Sequence, residues 1–174
     1  MHAFVLADPS RCIGCRACEI ACAEVHMQAD MAQAMAQGLP FVTRICVIRA
    51  AGVSAPIQCR QCEDAPCAAA CPTGAVTSDG RAIVVDADKC CACKACLAVC
   101  PVGAMQIAAT PGQDKPVACK CDLCIGSADR PACVAVCPAA ALRVFGREEL
   151  QRRTCARRRQ SALKLAANIF EGTR

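Results

Sequence analysis

Cysteine spacing constrains this chain more than any other feature of its sequence. The chain holds 20 cysteines among 174 residues, and sixteen of them fall into four short runs. Each run begins with two cysteines separated by two residues and ends with two separated by three. Repetition of this kind indicates four copies of one structural unit. The runs are Cys12-x2-Cys15-x2-Cys18-x3-Cys22, Cys59-x2-Cys62-x4-Cys67-x3-Cys71, Cys90-x2-Cys93-x2-Cys96-x3-Cys100 and Cys121-x2-Cys124-x8-Cys133-x3-Cys137.

The repeat continues past the last cysteine of three runs. Cys71, Cys100 and Cys137 are each followed by proline, whereas Cys22 is followed by Ala23. A proline at this point stops a local helix and brings no backbone N–H. Each Cys-Pro pair then leads into a stretch that ends in Ala-Val, Ala-Met or Ala-Leu. Each unit is therefore predicted to run as loop, short helix, Cys-Pro and strand.

Apolar runs bounded by turn residues predict several strands. They cover residues 83–86 before the third run, 105–108 after it and 141–145 after the fourth. Residues 77–80, Thr-Ser-Asp-Gly, give a hairpin turn signal ahead of the first of these strands. The units are expected to be small and βαβ-like.

Two segments lie outside the repeat. Residues 27–37 are rich in Ala, Met and Gln and are followed by helix-stopping Gly38 and Pro40, so they predict a helix. Residues 41–49 predict a strand. Residues 147–170 contain few helix breakers and a cluster of basic residues, and they predict a basic helical tail.

Composition limits what fills the interior. The hydrophobic fraction is 55%, yet aromatic residues make up only 2%, and Trp and Tyr are absent. A core of Ala, Val, Ile and Cys lacks its usual bulky side chains. Something other than side chains is expected to fill part of it. A chain of 174 residues has room for one domain or two small similar modules, and none for a second catalytic domain.

The cellular compartment of a cysteine-rich protein determines whether its cysteines form disulfides or stay reduced and bind metals. Residues 1–9 carry no basic segment, no adequate apolar segment and no cleavage site of an export signal. No stretch approaches the roughly 18 uninterrupted apolar residues of a membrane span. A cytoplasmic location is therefore expected, where cysteines bind metals or take part in redox chemistry.

The spacing favours iron–sulfur clusters. Three cysteines at x2 spacing form a tight loop around one [4Fe–4S] cube, and the fourth cysteine of the run ligates the cluster of a partner run. Four runs then work as two pairs. Zinc sites usually bring two separated Cys-x2-Cys pairs to one ion, whereas the first and third runs each place four cysteines within eleven residues. A structural zinc module remains the alternative.

The net charge gives little support to nucleic-acid binding. The formal value of +5 counts cysteine as neutral. Four oxidised clusters with their thiolates contribute about −8, which leaves about −3. The basic tail also lacks interleaved aromatic residues, so no nucleic-acid partner is expected.

These motifs resemble the four-cluster ferredoxin-type electron-transfer subunits that accompany molybdenum or tungsten oxidoreductases and nickel–iron hydrogenases. Within that group the chain is most similar to the small iron–sulfur proteins of the formate dehydrogenase-H and formate hydrogenlyase system. The resemblance extends from about residue 3 to residue 145 and is carried by residues 12–22, 59–67, 120–124 and 131–138.

The resemblance implies an α+β fold of tandem bacterial dicluster-ferredoxin-like modules, βαβ units with pseudo-twofold symmetry, and a C-terminal helical tail. Residues 1–145 would form the four-cluster domain, with runs one and four in one module and runs two and three in the other. Residues 146–174 would form the basic tail. The cofactors implied are four [4Fe–4S] clusters.

The family's ligand pattern assigns sixteen cysteines to four sets, each named here by its first member. The Cys12 set is Cys12, Cys15, Cys18 and Cys137. The Cys121 set is Cys121, Cys124, Cys133 and Cys22. The Cys59 set is Cys59, Cys62, Cys67 and Cys100. The Cys90 set is Cys90, Cys93, Cys96 and Cys71.

The same resemblance implies a non-catalytic electron-transfer subunit, and the sequence offers no catalytic residues of its own. The expected partner is the catalytic subunit of a molybdenum or tungsten oxidoreductase, formate dehydrogenase first, with a nickel–iron hydrogenase or a soluble electron carrier at the other end. An accessory factor that matures such an enzyme is the alternative. No membrane span is expected.

Several residues are left outside these assignments. Cys46 is interpreted as a buried small hydrophobe, Cys155 as a free thiol, and Cys91 and Cys119 as neighbours of ligands. His2 and His26 are interpreted as surface residues. Two readings stay open for four basic residues in or beside the cysteine loops: a positive charge that raises a cluster's potential, or a solvated loop charge. They are Arg16, Arg60, Lys94 and Lys120.

Overall fold

Short elements separated by loops make up this α+β protein, as described by a computed structural model over residues 1–127 and 129–171. In chain order the elements are β1 (Phe4–Ala7), α1 (Ala17–Met27), α2 (Met31–Ala36), β2 (Ile45–Ala50), β3 (Val53–Gln58), α3 (Pro66–Ala69), β4 (Val76–Ser78), β5 (Ile83–Val85), α4 (Ala95–Ala98), β6 (Gln106–Ala108), β7 (Val117–Cys119), α5 (Ala132–Val136), β8 (Leu142–Phe145) and α6 (Arg147–Glu171). The α+β class is thereby confirmed.

The strands pair two by two into antiparallel ribbons, namely β1–β8, β2–β3, β4–β5 and β6–β7. The predicted hairpin is confirmed as β4–β5, and the Asp79 carboxylate in its turn accepts the backbone N–H groups of Arg81 and Ala82. The strands predicted at 83–86, 105–108 and 141–145 are present with ends shifted by a residue. The β1–β8 ribbon places Phe4 opposite Phe145, and it therefore joins the start of the fold to the segment after the fourth run.

The predicted helix over residues 27–37 is wrong in its bounds, because two helices meet there. α1 ends at Met27, where Gln28 takes a left-handed conformation with φ of 55°. α2 begins after Asp30, whose carboxylate accepts the Gln33 N–H while the Gln33 side chain accepts the Asp30 N–H. This reciprocal capping box starts a new helix. The strand predicted over 41–49 begins only at Ile45.

Two larger hydrophobic cores combine aliphatic side chains with cysteines. One core gathers Val5, Ile45, Val47 and Leu142 with cysteines of runs one and four. The other gathers Val76, Ile83, Met105 and Val117 with cysteines of runs two and three. A small third core lies between α1 and α2. The division of residues 1–145 into two pseudo-twofold modules stays a proposal.

The predicted helical tail is confirmed as α6. Its second turn contacts the rest of the fold, where the Arg153 guanidinium lies 4.4 Å from the centre of the Phe145 ring, and Arg153 also pairs with Glu149 at 2.8 Å. Residues 151–167 are exposed. Among the helices that the structure describes, each is too short or too polar to cross a membrane.

Candidate cluster-binding sites

A left-handed backbone turn recurs just before the second cysteine of every run. The φ angles there are 68° at Gly14, 51° at Gln61, 55° at Ala92 and 64° at Leu123. A left-handed conformation costs a residue with a Cβ atom about 1–2 kcal/mol. Its recurrence at the same position of every run indicates that the four cysteine loops share one backbone geometry. The turn reverses the chain sharply between the first two cysteines of each run.

Gly14 is the position where this turn tolerates a side chain least. A Cβ atom there would lie 2.8 Å from Nε of Arg49 and 2.9 Å from Oγ of Ser54. Arg49 also donates a hydrogen bond of 2.7 Å to the Gly14 carbonyl oxygen. An added methyl group would displace that guanidinium as well as strain the backbone.

Substitutions at Gly14 and Ala92 should therefore change stability in opposite directions. We expect Gly14→Ala to destabilise the protein by about 1–2 kcal/mol, and Ala92→Gly to stabilise it by up to about 1 kcal/mol, because glycine relieves the left-handed strain. The thermal midpoint for loss of visible cluster absorbance should move by about 2–4 °C per kcal/mol. A midpoint that falls in Ala92→Gly would contradict this account of the loop.

Cysteines from two different runs line each of two surface pockets. One pocket is lined by the Cys12 set, with Cys137 arriving from the fourth run beside Pro138. A second pocket is lined by the Cys90 set, with Cys71 arriving from the second run. Cys91 also lines the second pocket. In both places three cysteines of one run face the last cysteine of another.

The Cys121 set lies largely inside the protein, with Cys22, Cys124 and Cys133 buried. Burial raises the pKa of Cys133, and charges on Cys121, Cys22 and Cys124 raise it further. Burial likewise raises the pKa of Cys121 to about 12. Cys22 and Cys133 also share one hydrophobic core, and Cys121 packs against it. Ligation of iron by any of the sets stays a prediction.

The Cys59 set converges in the same way. Burial raises the pKa of Cys67, and charges on Cys59 and Cys100 act in the same direction, while the Lys120 ammonium opposes them. Cys62 packs beside Cys67 and Cys100 against the core shared by runs two and three. Like the other sets, this one brings together three cysteines of one run and the last cysteine of another.

Backbone N–H groups donate to cysteine sulfurs in each of the four sets. The Sγ of Cys100 accepts the Ala104 N–H at 3.2 Å, and the Sγ of Cys137 accepts the Ala141 N–H at 3.3 Å. Both donors lie four residues after the cysteine, beyond the Cys-Pro pair. Such bonds stabilise thiolate charge and tune cluster potentials. The donor set and its hydrogen bonds therefore fit a thiolate-bound iron–sulfur cluster. The remaining donors and their sulfurs are Gln61 on Cys59, Ala118 on Cys90 and Arg44 on Cys22.

Cys22 departs from this pattern because no proline follows it. α1 continues through Ala23 to Met27, so the chain does not turn back to offer its own N–H. The N–H of Arg44, just before β2, donates to the Cys22 sulfur at 3.3 Å instead. The long segment between runs one and two thus supplies a contact that Cys100 and Cys137 obtain locally.

His26 also contacts Cys22, and the interpretation of His26 as a surface residue is wrong. Its Nε2 lies 3.1 Å from Asp122, and Arg44 pairs with the same carboxylate. Burial alone would lower the pKa of His26, but hydrogen bonds with Asp122 and Cys22 outweigh it and raise the pKa to about 9. Burial raises the pKa of Asp122, but the hydrogen bond with His26 and the charge of Arg44 outweigh it and lower the pKa to about 2. The cysteine spacing did not predict this group of His26, Asp122 and Arg44 side chains.

Two further interpretations from sequence are corrected. His2 is buried, with Nε2 2.9 Å from Oγ of Ser78. Cys46 is exposed, because β2 alternates and turns Ile45 and Val47 inward. Cys91 and Cys155 are exposed as well, whereas Cys119 on β7 is buried.

The four basic residues left open by the sequence separate by burial. Arg16 and Lys94 are exposed and Arg60 is half-buried, whereas Lys120 is 2% exposed. Lys120 alone among them is therefore shielded from solvent.

Comparison with known proteins identifies the family. The family model of the 4Fe-4S dicluster domain matches residues 51–147, more than half of the chain. The chain belongs to the 4Fe-4S dicluster family. This 4Fe-4S dicluster protein is 40% identical over 174 residues to the electron transport protein HydN of Escherichia coli strain K12, a match that covers 94% of this chain and 99% of HydN. The prediction of a ferredoxin-type [4Fe–4S] protein is confirmed.

Two other matches cover less or are weaker. The 4Fe-4S dicluster protein is 40% identical over 116 residues to formate hydrogenlyase subunit 2 of Escherichia coli strain K12, covering 67% of this chain and 53% of that subunit. A chain of the active site complex BamBC of benzoyl coenzyme A reductase aligns with 97% of each chain, at a TM-score of 0.42 and 20% identity. That structural likeness is too low to support a conclusion about this protein.

Proposed function

We propose that this protein is an electron-transfer subunit with four [4Fe–4S] clusters. The subunit links a molybdenum or tungsten enzyme, with formate dehydrogenase as the preferred candidate, to a hydrogenase or a soluble acceptor. The observation that carries the proposal is that three cysteines from one run and the last cysteine of a partner run line the same pocket in two places. The 40% sequence identity with HydN over 94% of this chain supports the choice of this enzyme system. The 40% identity with formate hydrogenlyase subunit 2 over 67% of the chain supports it as well.

The proposal assigns each cluster to one cysteine set. The Cys12 and Cys121 sets would belong to one module and the Cys59 and Cys90 sets to the other, all within residues 1–145. Residues 146–174 would form the basic tail, whose exposed arginines suit contact with a partner subunit. A cytoplasmic location and a non-catalytic role belong to the same proposal.

The chain's own residues would perform three tasks. When bound, each [4Fe–4S] cluster supplies a centre that gains and loses one electron. The cysteines hold the centres at fixed positions, and the N–H donors to their sulfurs stabilise the charge there. Aliphatic residues such as Val5, Val76 and Leu142 are buried beside the cysteines and keep water away.

Metal analysis tests the proposal directly. Anaerobically purified protein should contain about sixteen iron and sixteen acid-labile sulfide per chain, and dithionite should bleach its visible absorption and produce EPR signals of reduced cubanes. Zinc in place of iron, without sulfide, would overturn the proposal and restore the structural zinc module.

The identity of the partner needs a separate experiment. Affinity purification with a tagged formate dehydrogenase should recover this chain in a stable, stoichiometric complex. Recovery only with the immature, cofactor-free enzyme would favour the alternative role of an accessory maturation factor.

A further inference from the structure

Lys120 is buried in the interior although it directly precedes the first cysteine of the fourth run. Its Nζ donates hydrogen bonds to the carbonyl oxygen of Cys121 at 2.8 Å, to Oε1 of Gln61 at 3.3 Å and to the carbonyl oxygen of Ile83. A lysine ammonium has three N–H donors and no acceptor. Three oxygen acceptors around Nζ therefore match the charged form of the side chain.

Gln61 connects this ammonium to the second run. The Gln61 backbone N–H donates to the Cys59 sulfur at 3.4 Å, and its side-chain Nε2 donates to the Cys121 carbonyl oxygen at 2.7 Å. Its Oε1 accepts the Ile83 N–H at 2.9 Å as well as Lys120. One hydrogen-bonded junction thus runs from the sulfur of Cys59 to the backbone of Cys121.

The charge of Lys120 has no carboxylate partner among the residues that the structure describes. Burying a cation among neutral groups alone is costly, whereas a cluster with four thiolates carries net negative charge. Burial raises the pKa of Cys67, and Lys120 acts against that effect, so its field reaches the Cys59 set. The bonds to Gln61 and Cys121 place the same charge beside the Cys121 set.

Building on the proposed ligand sets, we propose that Lys120, held in place by Gln61, raises the reduction potentials of the clusters in the Cys59 and Cys121 sets.

The physical reason is the charge change on reduction. Reduction adds one negative charge to a cluster, so a fixed positive charge nearby favours the reduced state. A unit charge within about 10 Å, acting through an effective dielectric constant of about 20, changes such an equilibrium about tenfold or more. An exposed lysine acts through water and should change it far less.

An EPR-monitored redox titration of the anaerobic holoprotein tests the inference, with iron and sulfide measured on every sample. We expect Lys120→Met to lower the potentials of two clusters, with about a tenfold fall in the equilibrium constant for one-electron reduction, or about 59 mV. Lys120→Arg should restore most of the shift. Lys94→Met is the matched control, because Lys94 also lies in a cysteine loop but is exposed; it should shift the potentials much less.

Gln61→Glu tests the junction without truncating the lysine, since it places a negative charge beside the ammonium. It should lower the same potentials as Lys120→Met. Unchanged potentials in iron-replete Lys120→Met would overturn the inference, and so would equal shifts in Lys120→Met and Lys120→Arg. If Lys120→Met loses its iron, unchanged potentials in Gln61→Glu would assign Lys120 to folding alone. Iron-free wild-type protein would instead overturn the proposed function.

Discussion

Replacing Cys133 with alanine is expected to remove one whole cluster, about a quarter of the iron and sulfide of the protein. Cys133 is buried at 6% exposure within the core of runs one and four, which also contains Cys22 and has Cys121 packed against it. Three remaining thiolates do not complete the four-cysteine coordination of a [4Fe–4S] cluster. Iron and sulfide per chain and the EPR spectrum of the reduced protein provide the measurement.

Matched variants make this experiment a test of how the runs pair. Cys22→Ala should remove the same EPR signal as Cys133→Ala, because Cys22 is assigned to the Cys121 set. Cys18→Ala, from the same run as Cys22, should remove a different signal. Cys155→Ala is the control, since Cys155 is exposed on α6 and should keep all the iron. Loss of one common signal in both Cys18→Ala and Cys22→Ala would refute the exchange of cysteines between runs.

Removal of iron is expected to abolish cooperative folding. The two larger cores contain the buried thiols of Cys18, Cys22, Cys90, Cys96 and Cys133. The elements beside them are short, with four residues in α4 and three in β5. Chain segments of that length gain little stability alone, and binding of a metal centre contributes directly to folding where no site exists beforehand.

Thermal melts by near-UV and far-UV circular dichroism would measure this effect. The iron-free chain should lose its near-UV signal and its sigmoidal transition, and anaerobic reconstitution with iron and sulfide should restore both. A chain that melts cooperatively at the same midpoint before and after chelation would show that its side chains alone hold the fold.

Local signals accounted for much of the fold. The β4–β5 hairpin was predictable because residues 77–80 form a polar turn beside an apolar strand. β3 was not, because it contains Pro56, which argues against a strand unless the strand lies at an edge. In a two-stranded ribbon every strand is an edge, so Pro56 is tolerated opposite Val47. β7 has only three residues, too few to show a periodic pattern.

The candidate sites divide in a similar way. The sixteen cysteines could be predicted as candidate cluster ligands from their spacing and from family resemblance, because both depend on residues that lie close together in sequence. The contacts of His26 and Lys120 were not, because their partners lie far away in sequence: Asp122 is 96 residues from His26, and Gln61 is 59 residues from Lys120. Only the folded chain brings such pairs together. The burial of Cys46 was misjudged because the register of a strand decides which side faces inward.

The β1–β8 ribbon has a consequence for how such a unit can be combined with other domains. With Phe4 opposite Phe145, the polypeptide enters and leaves the cysteine-rich body at adjacent points. A unit with neighbouring entry and exit points can be inserted into a loop of a larger protein without stretching either one. The pairing of β1 with β8 therefore makes this cysteine-rich body suitable for insertion as a domain within a longer polypeptide.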